Sequence, residues 1–345
     1  MTTDLGSPID SDRQAPLIDT SQRPAQRRSL LEFLEAYALL ILLVAIGIFF
    51  SLYSGTRATF FTSANMRILV SNQVVPAIVC LAALIPLVSQ QLDLSVGAIT
   101  GIAAIFSASL LNHLVPLPLA LAIGMLIALA VGLLNAFLVT RAMVNGVITT
   151  LGTSTILAGL AQQKTGGEAL VGNVPRIFTS FGANNFLGVP EVAWALLLIA
   201  LAVHFLLEHT PYGRQLYALG SNPVAAQLVG LRSRTLIGSS FVLASILAGF
   251  GGLIYVARSG GADPSVGPGF TLTGLAAAFL SAAAIKPGKF SVAGAMVAVF
   301  FLAILNNGLS LAGAAPDVSS YVNGAALIGG VALAMFLARR RGARA

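Results

Sequence analysis

An all-α polytopic membrane protein is the fold class this sequence predicts, with about ten transmembrane helices and both termini in the cytoplasm. Three observations predict it. Of its 345 residues, 57% are hydrophobic and only 9% charged, whereas a water-soluble domain carries about 25% charged residues. The apolar residues fall in runs of about 20, the length that crosses a hydrocarbon core of ~30 Å. The 19 lysines and arginines gather in alternate connections and at the chain ends, as the positive-inside rule requires of cytoplasmic segments. The net charge of +7 therefore reads as topology, and no nucleic-acid partner is expected.

Residues 1–29 are polar, carry Pro, Ser, Asp and Arg, and lack apolar periodicity, so they read as a disordered cytoplasmic tail. A cleavable signal peptide is not expected, because the first apolar run begins only near Leu30 and no small-residue cleavage pattern follows. The membrane domain is 30–338, with spans expected at 34–54, 67–89, 95–112, 116–140, 146–164, 192–208, 235–258, 270–285, 291–311 and 321–338. The eighth is unusually short. Residues 165–191 form a long external loop, where Gly166-Gly167, Pro175 and Gly188 mark turns. Residues 209–234 form a cytoplasmic loop and 339–345 a basic cytoplasmic tail. Of the 19 cationic residues, only Arg57, Arg67, Lys164, Arg176 and Arg258 then face outside. Gaining or losing one span would strand a basic terminus on the wrong side. Trp194 and Tyr321, near span ends, fit interfacial anchors.

Several stretches could carry chemistry. Residues 209–234 hold Arg214, Arg232 and Arg234 and no acid. Asn222 can cap a short helix and Pro223 suits its first turn. Ala225, Leu228 and Val229 then share a side, and Gly230 is a stop. A short helix on the cytoplasmic face suits docking into a partner's groove. The stretch Ser89-Gln90-Gln91-Leu92-Asp93-Leu94-Ser95-Val96-Gly97 places a carboxylate between apolar runs. Asp93 either faces a cavity or partner, or caps the third span by accepting hydrogen bonds from Val96 or nearby N–H groups. Both readings stay open. The Thr149–Ser154 stretch, with Thr153, offers small and hydroxyl groups for close helix packing or for lining a path. Asn306 and Asn307 are paired amides inside a span, needing partners and able to bond sugar hydroxyls; interhelical bonding would meet the same need.

Other chemistry is not expected. Cys80 is the one cysteine, which excludes an intramolecular disulfide and a cysteine-based metal site. His113, His204 and His209 are too widely spaced for a ligand pattern. There is no paired-acid, metal or nucleophile–base set of an enzyme, and no catalytic residue is assigned. No G-x-x-x-x-G-K-[ST] occurs, so if ATP drives the protein another polypeptide binds it.

Taken in chain order, five stretches resemble the ribose/simple-sugar-type permease subunits of bacterial ABC importers, within the branched-chain/monosaccharide permease superfamily. Residues 222–231 resemble the coupling motif N-P-E-A-A-R-L-S-G-I at Asn222, Pro223, Ala225, Ala226, Leu228 and Gly230, departing at Val224 and Gln227. Asp93-Leu94-Ser95-Val96-Gly97 stands as that family's D-L-S-V-G. Thr150-Leu151-Gly152-Thr153 is similar to its T-L-G-T, and residues 262–270 occupy the place of A-Q-P-T-A-G-x-G-Y with Asp263 and Phe270 as departures. Leu305-Asn306-Asn307-Gly308-Leu309 resembles L-N-N-G-L. Residues 280–290 depart from the family's Gly-Gly-Thr-Ser and Gly-Gly-Lys-Gly runs.

The resemblance covers about residues 60–338. It implies an inner-membrane, multi-pass permease that forms the path for a simple sugar or related small polar solute. A periplasmic or lipid-anchored binding protein would deliver the solute, and a second permease subunit, identical or merely similar, would complete the path. A cytoplasmic ABC ATPase would bind ATP and Mg, and this chain itself would bind no cofactor. Coupling to the ATPase is expected at Arg214, Gly220, Asn222, Pro223, Ala225, Ala226, Leu228 and Gly230. The translocation path is expected at Asp93, Ser95, Thr153, Asn306 and Asn307. The alternative is an ion-gradient-driven secondary transporter using Asp93, which the scarcity of acids in the spans disfavours.

Overall fold

The computed structural model describes residues 30–342. The tail expected over 1–29, and the last three residues of the basic tail, lie outside the described residues. Five helices come first: α1 (Leu30–Leu52), α2 (Ser63–Val88), α3 (Val96–Asn112), α4 (Leu117–Thr140) and α5 (Gly146–Thr165). Strand β1 (Leu170–Val171), α6 (Arg176–Ala183), β2 (Asn185–Phe186) and β3 (Val189–Pro190) follow, then α7 (Glu191–His209), α8 (Pro211–Ser221) and α9 (Pro223–Leu228). The chain ends with α10 (Ser233–Ser259), β4 (Gly261–Ala262), α11 (Val266–Leu280), α12 (Val292–Leu311) and α13 (Asp317–Gly342). Each of the ten expected spans falls on a helix. Among the described residues, α2, α4, α7, α10 and α12 are long and apolar enough to cross a membrane, and shorter apolar helices cover 37–52, 96–112 and 267–283.

The core is α2 and α3. Every residue of α2 from Val74 to Val88 is buried, because this run has no polar face to turn to solvent and an all-round apolar helix belongs inside protein. Around it pack α10, α11 and α12, with α10 also lying against α3 and α4. Small residues permit these close approaches. A Cβ on Gly252 of α10 would collide with the Thr100 carbonyl, and one on Gly132 of α4 with the Ser245 hydroxyl. By contrast α4, α5 and α7 turn Leu126, Phe137, Ile156 and Phe205 outward, an apolar surface of the kind that meets membrane.

The two ends of the bundle differ. At one end, α6 and two short antiparallel strand pairs, β1 with β4 and β2 with β3, cover the helix ends. Leu187 (φ 53°) and Gly188 (φ 80°) close the β2–β3 hairpin, the doubly positive pair that a tight hairpin turn requires. Residues 165–191 thus hold one short helix, α6, and the strands β1, β2 and β3. At the opposite end, residues 209–234 are two helices, not one short helix in a loop. Leu216 and Leu219 of α8 are buried at a spacing of three, on a strip too narrow to stand out in a polar eleven-residue segment. The expected eighth span also ends early: α11 stops at Leu280, a single 3₁₀ turn covers Ser281–Ala283, and Ile285 (φ 61°) and Gly288 (φ 73°) turn the chain toward α12.

Candidate functional site

Toward the α6 end, the bundle holds an open cavity of about 390 Å³. Asn72, Gln73 and Pro76 of α2, Tyr255 of α10 and Ser265 line one part of it. Gly269, Phe270 and Thr273 of α11, Leu302, Ala303 and Asn306 of α12, and Asn323 of α13 complete the wall. Four of these side chains are amides, and none carries a charge. Asn306 donates to Asn323 Oδ1 at 3.3 Å, and Asn323 donates to Thr273 Oγ1 at 3.4 Å. Asn306 Oδ1 is buried with no partner. An unpaired buried acceptor costs about 1–3 kcal/mol, so this oxygen offers a place for a donor from a bound solute. Arg258 donates to Asn72 Oδ1 at 2.6 Å and to Ser71 Oγ at 2.9 Å, fixing the Asn72 amide at the wall. Tyr255 and Phe270 meet edge to face, their ring centres 5.9 Å apart.

The other path candidates lie elsewhere. Asp93 Oδ1 accepts from the Ser95 N–H at 2.8 Å and from Ser95 Oγ at 2.6 Å. Asn135 of α4 donates to Ser95 Oγ at 2.9 Å and accepts from Thr153 Oγ1 of α5 at 2.8 Å. Leu94 N–H donates to Thr150 Oγ1 at 3.1 Å. One buried chain of hydrogen bonds therefore ties the α2–α3 connection to α4 and α5. Asp93, Ser95 and Asn135 are each no more than 1% exposed and Thr153 is 8% exposed, and none of them lines the cavity. The local backbone explains the position. Gln90 takes φ 59° as α2 ends, its N–H and that of Gln91 return to Leu87 and Pro86, and Asp93 then turns the chain into α3. The Asp93 carboxylate thus closes the turn that precedes α3, by accepting from Ser95, and the N-terminus of α3 carries no side-chain capping bond.

Asn307 likewise leaves the cavity to its neighbour. Its amide exchanges two hydrogen bonds with Asn65, at 2.9 and 3.1 Å, so it fastens α12 to the start of α2. Asn306 alone of the path set reaches the cavity. Sequence reasoning missed Asn72, Gln73, Thr273 and Asn323; the available signal was the polar side chains interrupting otherwise apolar spans.

At the opposite end, Asn222 Oδ1 accepts from the Ala225 N–H at 3.0 Å, Pro223 opens α9, and Gly230 follows at φ 82°. Val224, Leu228 and Val229 are 68%, 84% and 76% exposed. Arg214 and Ala225 are exposed as well. Two residues of the expected coupling set are buried within this chain. Ala226 is 3% exposed and faces the protein. Gly220 is buried, a Cβ there would collide with the Val88 carbonyl, and its own carbonyl accepts from Gln90 Nε2 at 2.8 Å. These two seat the face that the others display. Beside it opens a groove of about 490 Å³ lined by Tyr212, Gln215, Gly230, Leu231, Arg232, Thr235, Leu236 and Ser239.

Membrane-length helices around an uncharged cavity that mixes amides with apolar wall, with an apolar helix displayed at one end, define a membrane-transport component. Residues 66–331 match the family described as branched-chain amino acid transport system / permease component, and the chain belongs to that family. The ribose import permease protein RbsC of Escherichia coli (strain K12) is 31% identical over 81% of this chain and 87% of its own length. RbsC of Bacillus subtilis (strain 168) is 30% identical over 73% of this chain and 77% of its own. The autoinducer 2 import system permease protein LsrC of Photorhabdus laumondii is 28% identical over 78% and 80%. No solved structure gives a significant match.

Proposed function

We propose that this chain is the transmembrane permease subunit of an ATP-driven ABC importer in the bacterial inner membrane, and that its cargo is a neutral simple sugar or related polyol. The observation that carries the cargo is the cavity: amides, hydroxyls and two aromatic rings line it, with no charged side chain. An amino-acid zwitterion entering it would lose hydration of two charges without a countercharge. A polyol exchanges water for amide hydrogen bonds and lays its C–H faces on apolar and aromatic wall. Relatives named as ribose permeases support the same choice.

The ATPase reading rests on α9. Its exposed Val224, Leu228 and Val229, with Arg214 and the adjoining groove, suit a groove-and-helix contact with a cytoplasmic ABC ATPase that holds ATP and Mg. In this arrangement the ten helices span the membrane with both termini inside, and a solute-binding protein docks at the α6 end. Gly152 and Gly159 on α5 have open space beside them, and small residues let helices approach closely. That face suits a second permease subunit. An ion-driven carrier using Asp93 is less well supported, since neither cavity reaches that carboxylate.

The test is purification in mild detergent followed by reconstitution with the co-purifying ATPase and binding protein. Uptake of labelled pentoses and hexoses is expected to require ATP and to survive a protonophore. Uptake of leucine in their place would overturn the cargo, and collapse on dissipating the ion gradient would overturn the class.

A further inference from the structure

The stretch that departs most from the family pattern, residues 280–290, carries an ion cluster that neither cavity uses. Glu208, in the last turn of α7, receives Lys286 Nζ at 3.0 Å and Lys289 Nζ at 3.4 Å on the same oxygen. Lys289 Nζ also lies 3.9 Å from the centre of the Tyr217 ring, a cation–π distance. Tyr217, on α8, donates its hydroxyl to the Phe290 carbonyl at 2.7 Å. The contacts join three segments: the end of α7, the middle of α8, and the turn between α11 and α12. That turn is internally bonded, Gly288 N–H to the Ala282 carbonyl at 2.7 Å and Lys289 N–H to the Lys286 carbonyl at 2.9 Å. These bonds hold the lysine-bearing turn to the 3₁₀ turn that ends α11.

Those helices matter because their far ends supply Gly269, Phe270, Thr273, Leu302 and Asn306 to the cavity wall. Helix α8 in turn leads directly into α9, the displayed helix. A single exposed ion pair contributes little. Here the Glu208 side chain is only 14% exposed and holds two half-exposed lysines on one oxygen, and a ring and a hydroxyl converge on the same joint, so a neutral Glu208 would release both cations from α7 at once. We propose that Glu208, Lys286, Lys289 and Tyr217 form the latch through which movement of α8 and α9 is transmitted to the cavity walls α11 and α12. They are positioning residues and touch no solute. The latch rests on the ATP-driven reading above.

The test uses the assembled complex in lipid nanodiscs, with Gly269→Cys as reporter in the cavity wall. A side chain there meets open space, and the native Cys80 is fully buried. Maleimide labelling at this position, with and without Mg-ATP plus vanadate, is expected to differ by about fivefold or more, the range of ordinary site-to-site coupling. Glu208→Gln and Tyr217→Phe are expected to keep ATP hydrolysis and co-purification while the nucleotide-dependent difference shrinks severalfold. The charge exchange Glu208→Lys with Lys286→Glu and Lys289→Glu is expected to restore part of it, which a mere packing role would not. Tyr217→Phe loses one hydroxyl only, so it carries the test if Glu208→Gln fails to assemble. Variants that respond to nucleotide like the reporter parent would overturn the latch alone. A parent that brings no ATPase and shows no nucleotide response would overturn the ATP-driven reading, and the latch with it.

Discussion

Asn306 and Asn307 are adjacent in the chain and opposite in consequence. Asn307 satisfies its amide against Asn65, while Asn306 keeps a buried oxygen without a partner at the cavity wall. Asn306→Ala is expected to lower sugar uptake about tenfold, the equivalent of one good hydrogen bond to solute, with little change in melting temperature. Asn307→Ala is expected to do the reverse, lowering the melting temperature and leaving uptake per folded molecule near that of the parent. Reversal of the two phenotypes would move the solute site to Asn307. Asn135 offers a second comparison. It links Ser95 to Thr153, so Asn135→Leu strands the buried Thr153 hydroxyl, while Ser95 keeps its bond to Asp93, at a cost of about 1–3 kcal/mol. A detergent melting curve matching the parent would mean that the chain of bonds contributes nothing to stability. Nothing local in the sequence distinguishes a bonded from an unbonded amide, because the distinction depends on a helix hundreds of residues away in the chain.

At the scale of the element, α9 shows which signals were legible. Its N-cap, its opening proline and its glycine stop are local chemistry, and they read correctly from residues 222–230. Its faces were not legible in full. Ala226 is covered because α8 seats α9 against the bundle, and α8 is itself held by Gly220 on Val88 and by Gln90 on the Gly220 carbonyl, contacts between segments distant in sequence. Two aspartate substitutions separate display from support. Leu228→Asp puts a charge on a side chain that is 84% exposed, so folding is expected to be unchanged while the co-purifying ATPase is lost. Ala226→Asp buries an unpaired carboxylate, which is far costlier, so poor expression and a lowered melting temperature are expected. Equal loss of ATPase by both with no effect of either on stability would place Ala226 in the contact after all.

At the scale of the whole molecule, hydropathy located the helices because a bilayer imposes one requirement on each span, and that requirement is written in about 20 consecutive residues. The cavity was not legible in the same way. Its polar wall gathers Asn72, Tyr255, Thr273, Asn306 and Asn323 from five helices, and their convergence follows from packing set by α2 at the centre. Charge asymmetry supplies the remaining global statement, which end of the bundle faces the cytoplasm, and it can be tested around a single helix. Helix α5 separates Ala142 from Glu168, and both residues are exposed. The tally of cations places Ala142 inside, beside Arg141, and Glu168 outside. Because Cys80 is buried, Ala142→Cys and Glu168→Cys each present one reactive thiol. A membrane-impermeant maleimide is expected to label position 168 in intact cells and position 142 only after permeabilisation. Labelling of 142 alone would invert the molecule and move the α9 face to the outside, removing any contact with a cytoplasmic ATPase. Labelling of both in intact cells would mean that α5 does not cross, and the chain would then cross an odd number of times, with its two basic ends on opposite sides of the membrane.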